Sequence, residues 1–339
     1  MRRVGSFMRI GMLIVLLALI AQPALAATLQ DVSDCSAKYT DNPKPTADER
    51  IAACTRVIED KAAPDYELSV ALYNRGTTYE SKGAFNEALD DFNALLRNKP
   101  IGLVYANRGL VYQRLGDFER SIADFNDALR LDPNQSQAHK WRGVSYFNTR
   151  ENERAIADFN AALSLNPKDN EVYWQRGRAY EVAQDLKAAL ADYNEYLTRE
   201  PKAVRGYIRR ALVFLTLGDP DHALADSSDA MYIEPANPNA LAVRGNAYRA
   251  KGDLVRAIDD YNAAIHFEPN FAPFYHERGV AYRIKGNREN AITDFKMAIR
   301  LQPKDSPDSR AELEALGIKV PDTDPMRKLN AKEVLDWLK

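Results

Sequence analysis

From residue 69 to residue 304 the apolar positions keep a helical rhythm that is broken and resumed at a fixed interval. Within each interval small or aromatic residues recur at i, i+4 and i+7, which puts them on one face of a helix and leaves the rest polar. Gly109 and Tyr112 share one such face, and Ser121, Phe125 and Ala128 share the next. Gly116-Asp117 lies between them, and Leu131-Asp132-Pro133 follows. A glycine in the left-handed conformation stops the first helix. The proline, which has no N–H and clashes with the preceding turn, ends the second. Each interval therefore predicts helix, turn, helix, turn.

The interval is constant: Pro100, Pro133, Pro167, Pro201, Pro235, Pro269 and Pro303 are spaced by 33 and then 34 residues. A period near 34 marks stacked helical hairpins. Position 8 of each repeat is Gly76, Gly109, Gly143, Gly177, Ala211, Gly245 and Gly279, and position 11 is Tyr79, Tyr112, Tyr146, Tyr180, Phe214, Tyr248 and Tyr282. Position 20 is alanine, or serine at Ser121, and position 24 is Phe92, Phe125, Phe159, Tyr193, Ser227, Tyr261 and Phe295. Small residues at 8 and 20 let two helices approach until the rings at 11 and 24 fill the gap. A larger residue there overpacks by about 1–3 kcal/mol.

These residues resemble the tetratricopeptide repeat family over residues 69–304. The resemblance implies an all-α fold: a right-handed α-α superhelix, or solenoid, of about seven hairpins with a cap at each end. It also implies a concave groove lined by positions 2, 5, 6, 9, 12 and 13 of the first helices. The fifth repeat departs most, with Ala211, Ser227 and Gly206, and is expected to open more readily over residues 204–235. Arg150 and Gln184 replace the turn glycine in the third and fourth repeats.

Position 7 is always arginine, from Arg75 to Arg278, and position 23 is always aspartate, from Asp91 to Asp294. In a hairpin that turns near position 15 the two lie opposite each other, so structural Arg–Asp pairs are expected. An anion-binding ladder is the competing reading.

At the ends, residues 27–68 hold an incomplete repeat in which Thr46-Ala47-Asp48-Glu49 is a capping box opening a helix through Ile51, Cys54 and Ile58. Ser306-Pro307 opens a C-terminal capping helix, within 305–318, that stops at Gly317. Residues 319–339 read as a linker and a short amphipathic helix carrying Leu335, Trp337 and Leu338. That helix either packs on the solenoid or serves as a docking tag.

Residues 1–26 read as a cleavable export signal: basic Arg2, Arg3 and Arg9, an apolar run from Ile10 to Ala21, then Ala24-Leu25-Ala26. An uncleaved anchor is the alternative, although the run falls short of the roughly 20 residues a membrane span needs. Export to the periplasm makes disulfide formation between Cys35 and Cys54, the two cysteines, the expected outcome. Their spacing does not suit a redox pair.

The formal charge is −2, and three arginines sit in the leader, so the exported part is acidic. That argues against nucleic-acid binding. The four histidines lack metal-ligand spacing, and no phosphate loop, dinucleotide pattern or nucleophile elbow is present. The sequence thus implies a non-catalytic scaffold needing no cofactor, with a protein or peptide as partner. The alternative is a structural component of an envelope complex that self-associates or binds glycan. The candidate partner-binding residues are Tyr73, Asn74, Asn107, Lys140, Trp141, Phe147, Trp174, Gln175, Arg178, Arg205 and Arg209, with Asn246, Arg249, His276, Glu277 and Arg283 continuing the row. Aromatic residues and arginines dominate recognition hot spots. Packing of either tryptophan against its neighbouring repeat is the competing reading.

Overall fold

The computed structural model describes residues 27–36, 45–303 and 306–320. The expected leader and the expected helix at Ala331–Lys339 lie outside the described residues. The chain divides into two compact parts, one ending at Gly116 and the other beginning at Asp117. The N-terminal part holds α1 (Leu29–Ser36), α2 (Ala47–Glu59), α3 (Asp65–Lys82), α4 (Phe85–Asn98) and α5 (Gly102–Arg114). The C-terminal part holds α6 (Phe118–Leu131), α7 (Ser136–Asn148), α8 (Asn152–Leu165), α9 (Asn170–Val182), α10 (Leu186–Arg199) and α11 (Val204–Thr216). It continues with α12 (Pro220–Ile233), α13 (Pro238–Ala250), α14 (Leu254–Phe267), α15 (Ala272–Ile284), α16 (Arg288–Leu301) and α17 (Pro307–Ala315). There is no strand among the described residues. In each part consecutive helices pack as hairpins, the all-α solenoid arrangement that the repeat pattern implies.

The packing rule at positions 8 and 24 holds at atomic distance. A Cβ added to Gly143 would stand 2.8 Å from Cε1 of Phe159, and one on Gly177 would meet Tyr193 at 2.8 Å. Phe92, Phe125, Phe159, Tyr193, Tyr261 and Phe295 are completely buried. In the fifth repeat the ring is missing: Ser227 is buried and turns its hydroxyl onto the carbonyls of Ala223 and Leu224. The space is closed by α11 and α13 meeting through Ala211, Val243 and Ala247.

Arg75, Arg142, Arg176, Arg210, Arg244 and Arg278 each donate two bonds, from Nε and Nη2, to the aspartate 16 residues on in the same hairpin. The paired reading of these arginines is therefore the right one. Their third arm was not expected. Nη1 of Arg142, Arg176, Arg210 and Arg278 donates to Asn126, Asn160, Asn194 and Asn262 of the preceding repeat at 2.6–2.8 Å, and Arg108 reaches Asn93 in the same way. One guanidinium thus closes its own hairpin and fastens it to its neighbour.

In the N-terminal cap, α1 packs against α2, adding a helix ahead of the one that the sequence reads there. Cys35 of α1 and Cys54 of α2 form a disulfide, and both are buried with Val57 and Ala71. Thr28 and Asp31 cap α1 reciprocally, with the Thr28 amide donating to the carboxylate and the Asp31 amide donating to the hydroxyl. The expected capping box at Thr46 and Glu49 is present. At the other end α17 buries Leu313 against α16 and stops at Gly317, which has a φ of 74°. Ser306 makes no side-chain cap for α17; its hydroxyl donates back to the carbonyls of Gln302 and Ala298.

Candidate functional site

In the N-terminal part, α3 and α5 present Tyr73, Asn74 and Asn107. The Asn107 amide nitrogen donates to the Tyr73 hydroxyl at 3.1 Å and to the Leu103 carbonyl at 2.9 Å. Burial raises the Tyr73 pKa, with the Asn107 bond opposing it. The phenol thus stays a neutral acceptor, held by Asn107. The Asn74 side-chain amide makes no hydrogen bond among the described residues. Its backbone carbonyl already accepts from Thr77 and Thr78.

In the C-terminal part, the first helices α7, α9 and α11 carry the remaining candidates, and the structure separates them into two sets. Lys140 and Trp174 belong to the scaffold. Lys140 is buried and bonds Asp169 at 2.9 Å, with its ammonium 4.8 Å from the Trp141 ring. Trp174 is 8% exposed and packs on Tyr193 and Tyr196 at centroid distances of 5.7 and 5.5 Å. In this repeat position 5 packs on Tyr196, which stands at position 27 and offers an aromatic wall. The same wall accounts for Gly206 inside α11, where an added Cβ would come within 3.0 Å of Tyr196 and 2.8 Å of Leu197.

The second set faces outward and is tied by charge. Arg205 lies 4.5 Å over Trp174, donates to the Tyr196 hydroxyl at 2.8 Å and pairs with Glu171 at 2.6 Å. Arg209 pairs with Glu181 at 3.3 Å, and Glu181 also accepts from the Tyr193 hydroxyl at 2.8 Å. Burial, and then the Glu181 charge, pushes the Tyr193 pKa up, which keeps that hydroxyl a donor. Gln175 donates to Glu171 at 2.8 Å and accepts from Arg178 at 3.1 Å. Arg178 sits 4.7 Å over the Phe147 ring. Trp141 and Phe147 are half-buried.

The counter-charges Glu171 and Glu181 were not among the expected site residues. Their signal was available: position 12 of one repeat and position 6 of the next carry opposite charges at Glu181 and Arg209, and again at Arg249 and Glu277, which pair at 2.7 Å. Arg249 is further held by Tyr261, whose hydroxyl donates to Asn246. His276 contacts the Ser309 hydroxyl at 2.9 Å, and Arg283 pairs with Glu312, so the row ends against the C-terminal cap. Among the described residues no three His, Cys, Asp or Glu side chains are placed to hold a metal ion, and no helix is long and apolar enough to cross a membrane.

Models of the tetratricopeptide repeat match residues 69–101, 107–170, 174–238 and 272–305, and a TPR repeat model matches 245–283. No curated protein matches the chain. Solved structures do. A tetratricopeptide repeat protein from Parabacteroides merdae is 22% identical, with a TM-score of 0.60 over 73% of this chain and 97% of its own. The pilF protein of Pseudomonas aeruginosa is 19% identical, with a TM-score of 0.53 over 63% and 97%. PilW, described as a type IV pilus biogenesis factor, is 18% identical, with a TM-score of 0.56 over 62% and 98%. At these identities the likeness is one of fold.

Proposed function

We propose, from the premise that the chain belongs to the tetratricopeptide repeat family, that it is a non-catalytic adaptor of the bacterial periplasm that holds an extended segment of a partner protein on its first-helix face. One observation carries the reading. The residues that frame the repeats recur from hairpin to hairpin with few exceptions, whereas the outward face of α7, α9 and α11 differs at every step, from Trp141 and Phe147 to Gln175 and Arg178 to Arg205 and Arg209. A surface that varies on a recurring frame suits recognition of one particular ligand. The Cys35–Cys54 disulfide supports an oxidising compartment, as does the basic, apolar, small-residue leader.

Site-specific photo-crosslinking in the native envelope tests it. A photoreactive residue at position 141 or 209 is expected to give one discrete adduct, and the same group at the exposed Tyr232 of α12 is not. Adducts of equal yield from all three positions, or none from the first two, would remove the assignment. Trp174 is unsuitable for such a test, because its substitution would damage the core it fills.

A further inference from the structure

The charges on the face of α9 and α11 do not balance. Arg205 is matched by Glu171 and Arg209 by Glu181. Arg178 enters no ion pair among the described residues; it donates to the neutral Gln175, and Phe147 lies beneath it. A half-buried guanidinium without a direct ion pair is costly. Its pKa is lowered, first by burial and then by the nearby Arg209, with Tyr193, Glu181 and Glu171 opposing.

We propose that Arg178, with Gln175 and Arg209 beside it, forms a subsite for the side-chain carboxylate of an aspartate or glutamate in the bound segment. This rests on the adaptor reading and names the chemistry of its ligand. One guanidinium left outside the direct ion pairs fits a singly charged carboxylate. The planar fork of Arg178 suits it as a two-pronged donor, and the Phe147 face keeps the fork flat. First helices continue on both sides of the subsite, α7 with Trp141 and α13 with Asn246, so a segment crossing it runs on in both directions. The acid is therefore an internal side chain and not the chain end.

The test uses the purified chain and a random dodecapeptide phage library, followed by a fluorescein-labelled synthetic peptide of the selected sequence. The selected peptides are expected to share one acidic residue. Changing it to its amide should weaken binding to the wild type about tenfold and to Arg178→Gln less than about twofold, as for a coupled charge pair. Arg178→Lys, which keeps the charge without the fork, should retain part of the discrimination. Amidation of the peptide's C-terminus should change nothing. An acid-free consensus, an equal loss in wild type and Arg178→Gln, or a loss carried by the C-terminal amide would each overturn the subsite while leaving the adaptor standing. A library from which nothing is enriched would overturn both.

Discussion

Arg176 holds Asp192 with two bonds of 2.8 and 2.6 Å while its remaining arm reaches Asn160 of the repeat before. Burial of Asp192 raises its pKa, and the bonds and charge of Arg176 oppose that rise. Removing the arginine strands a buried acid. Arg176→Met is expected to cost about 3 kcal/mol or more, and the double variant Arg176→Met/Asp192→Leu less than the single one. Urea unfolding of the two variants decides it, and equal losses would contradict the stranded-charge account.

The joint between the fifth and sixth repeats lacks that fastening. The position of the bridging asparagine is Ser228, and Arg244 bonds Asp260 without a partner in the preceding repeat among the described residues. Together with the missing ring at Ser227, this makes the junction the weakest joint in the C-terminal part. Amides of residues 204–235 are expected to exchange earlier than those of the flanking repeats. Ser228→Asn should restore the bond, slow that exchange and stabilise by about 1 kcal/mol. Uniform exchange across α9 to α14 would rule the weak joint out.

Arg150 and Gln184 sit at φ 66° and 62°, where the other turns carry glycine. A side chain in that region costs about 1–2 kcal/mol, and glycine recovers part of it at the expense of a looser unfolded chain. Arg150→Gly and Gln184→Gly should each stabilise by roughly 0.5–1 kcal/mol. Because the two sites are in separate turns, their gains should add. Both residues are exposed, and Gln184 gives up only a local bond to the Glu181 carbonyl at 3.3 Å, so thermal unfolding reports mainly the turn.

What the sequence revealed follows from how often a constraint is repeated. Gly143 against Phe159, and Arg142 against Asp158, recur in nearly every hairpin, so the period exposes them. The asparagine bridge recurs too, at Asn126, Asn160 and Asn194, yet a polar residue on a helix surface carries no packing signal and went unread. Trp174 was misjudged for the opposite reason. It occupies a groove position, yet its ring packs on the non-repeating Tyr196 as well as on Tyr193. The α1 helix escaped because eight residues are too few to show a period. The Arg178 imbalance is a matter of which side chains meet, so it becomes visible only with the counter-ions in place.

The eight-residue α1 cannot stand alone, since helices of that length are marginal in water. Besides the disulfide, it is held by Arg56, whose guanidinium meets the buried Asp31 carboxylate at 2.5–2.6 Å. That side-chain bond, opposed by burial and aided by the Thr28 cap, lowers the Asp31 pKa from 3.8 to about 2. A carboxylate whose pKa is depressed by folding contributes stability that is complete above its unfolded value and is lost as pH falls through its folded value. The contribution of Asp31 is therefore full above about pH 4 to 5 and disappears toward pH 2. Protection of the amides in residues 29–36, taken relative to their intrinsic exchange rate at each pH, should fall across that window with the disulfide intact, and more so after reduction. Asp31→Asn should exchange faster at pH 6 and lose the acid-dependent step. A variant that kept the same step would assign it to another group.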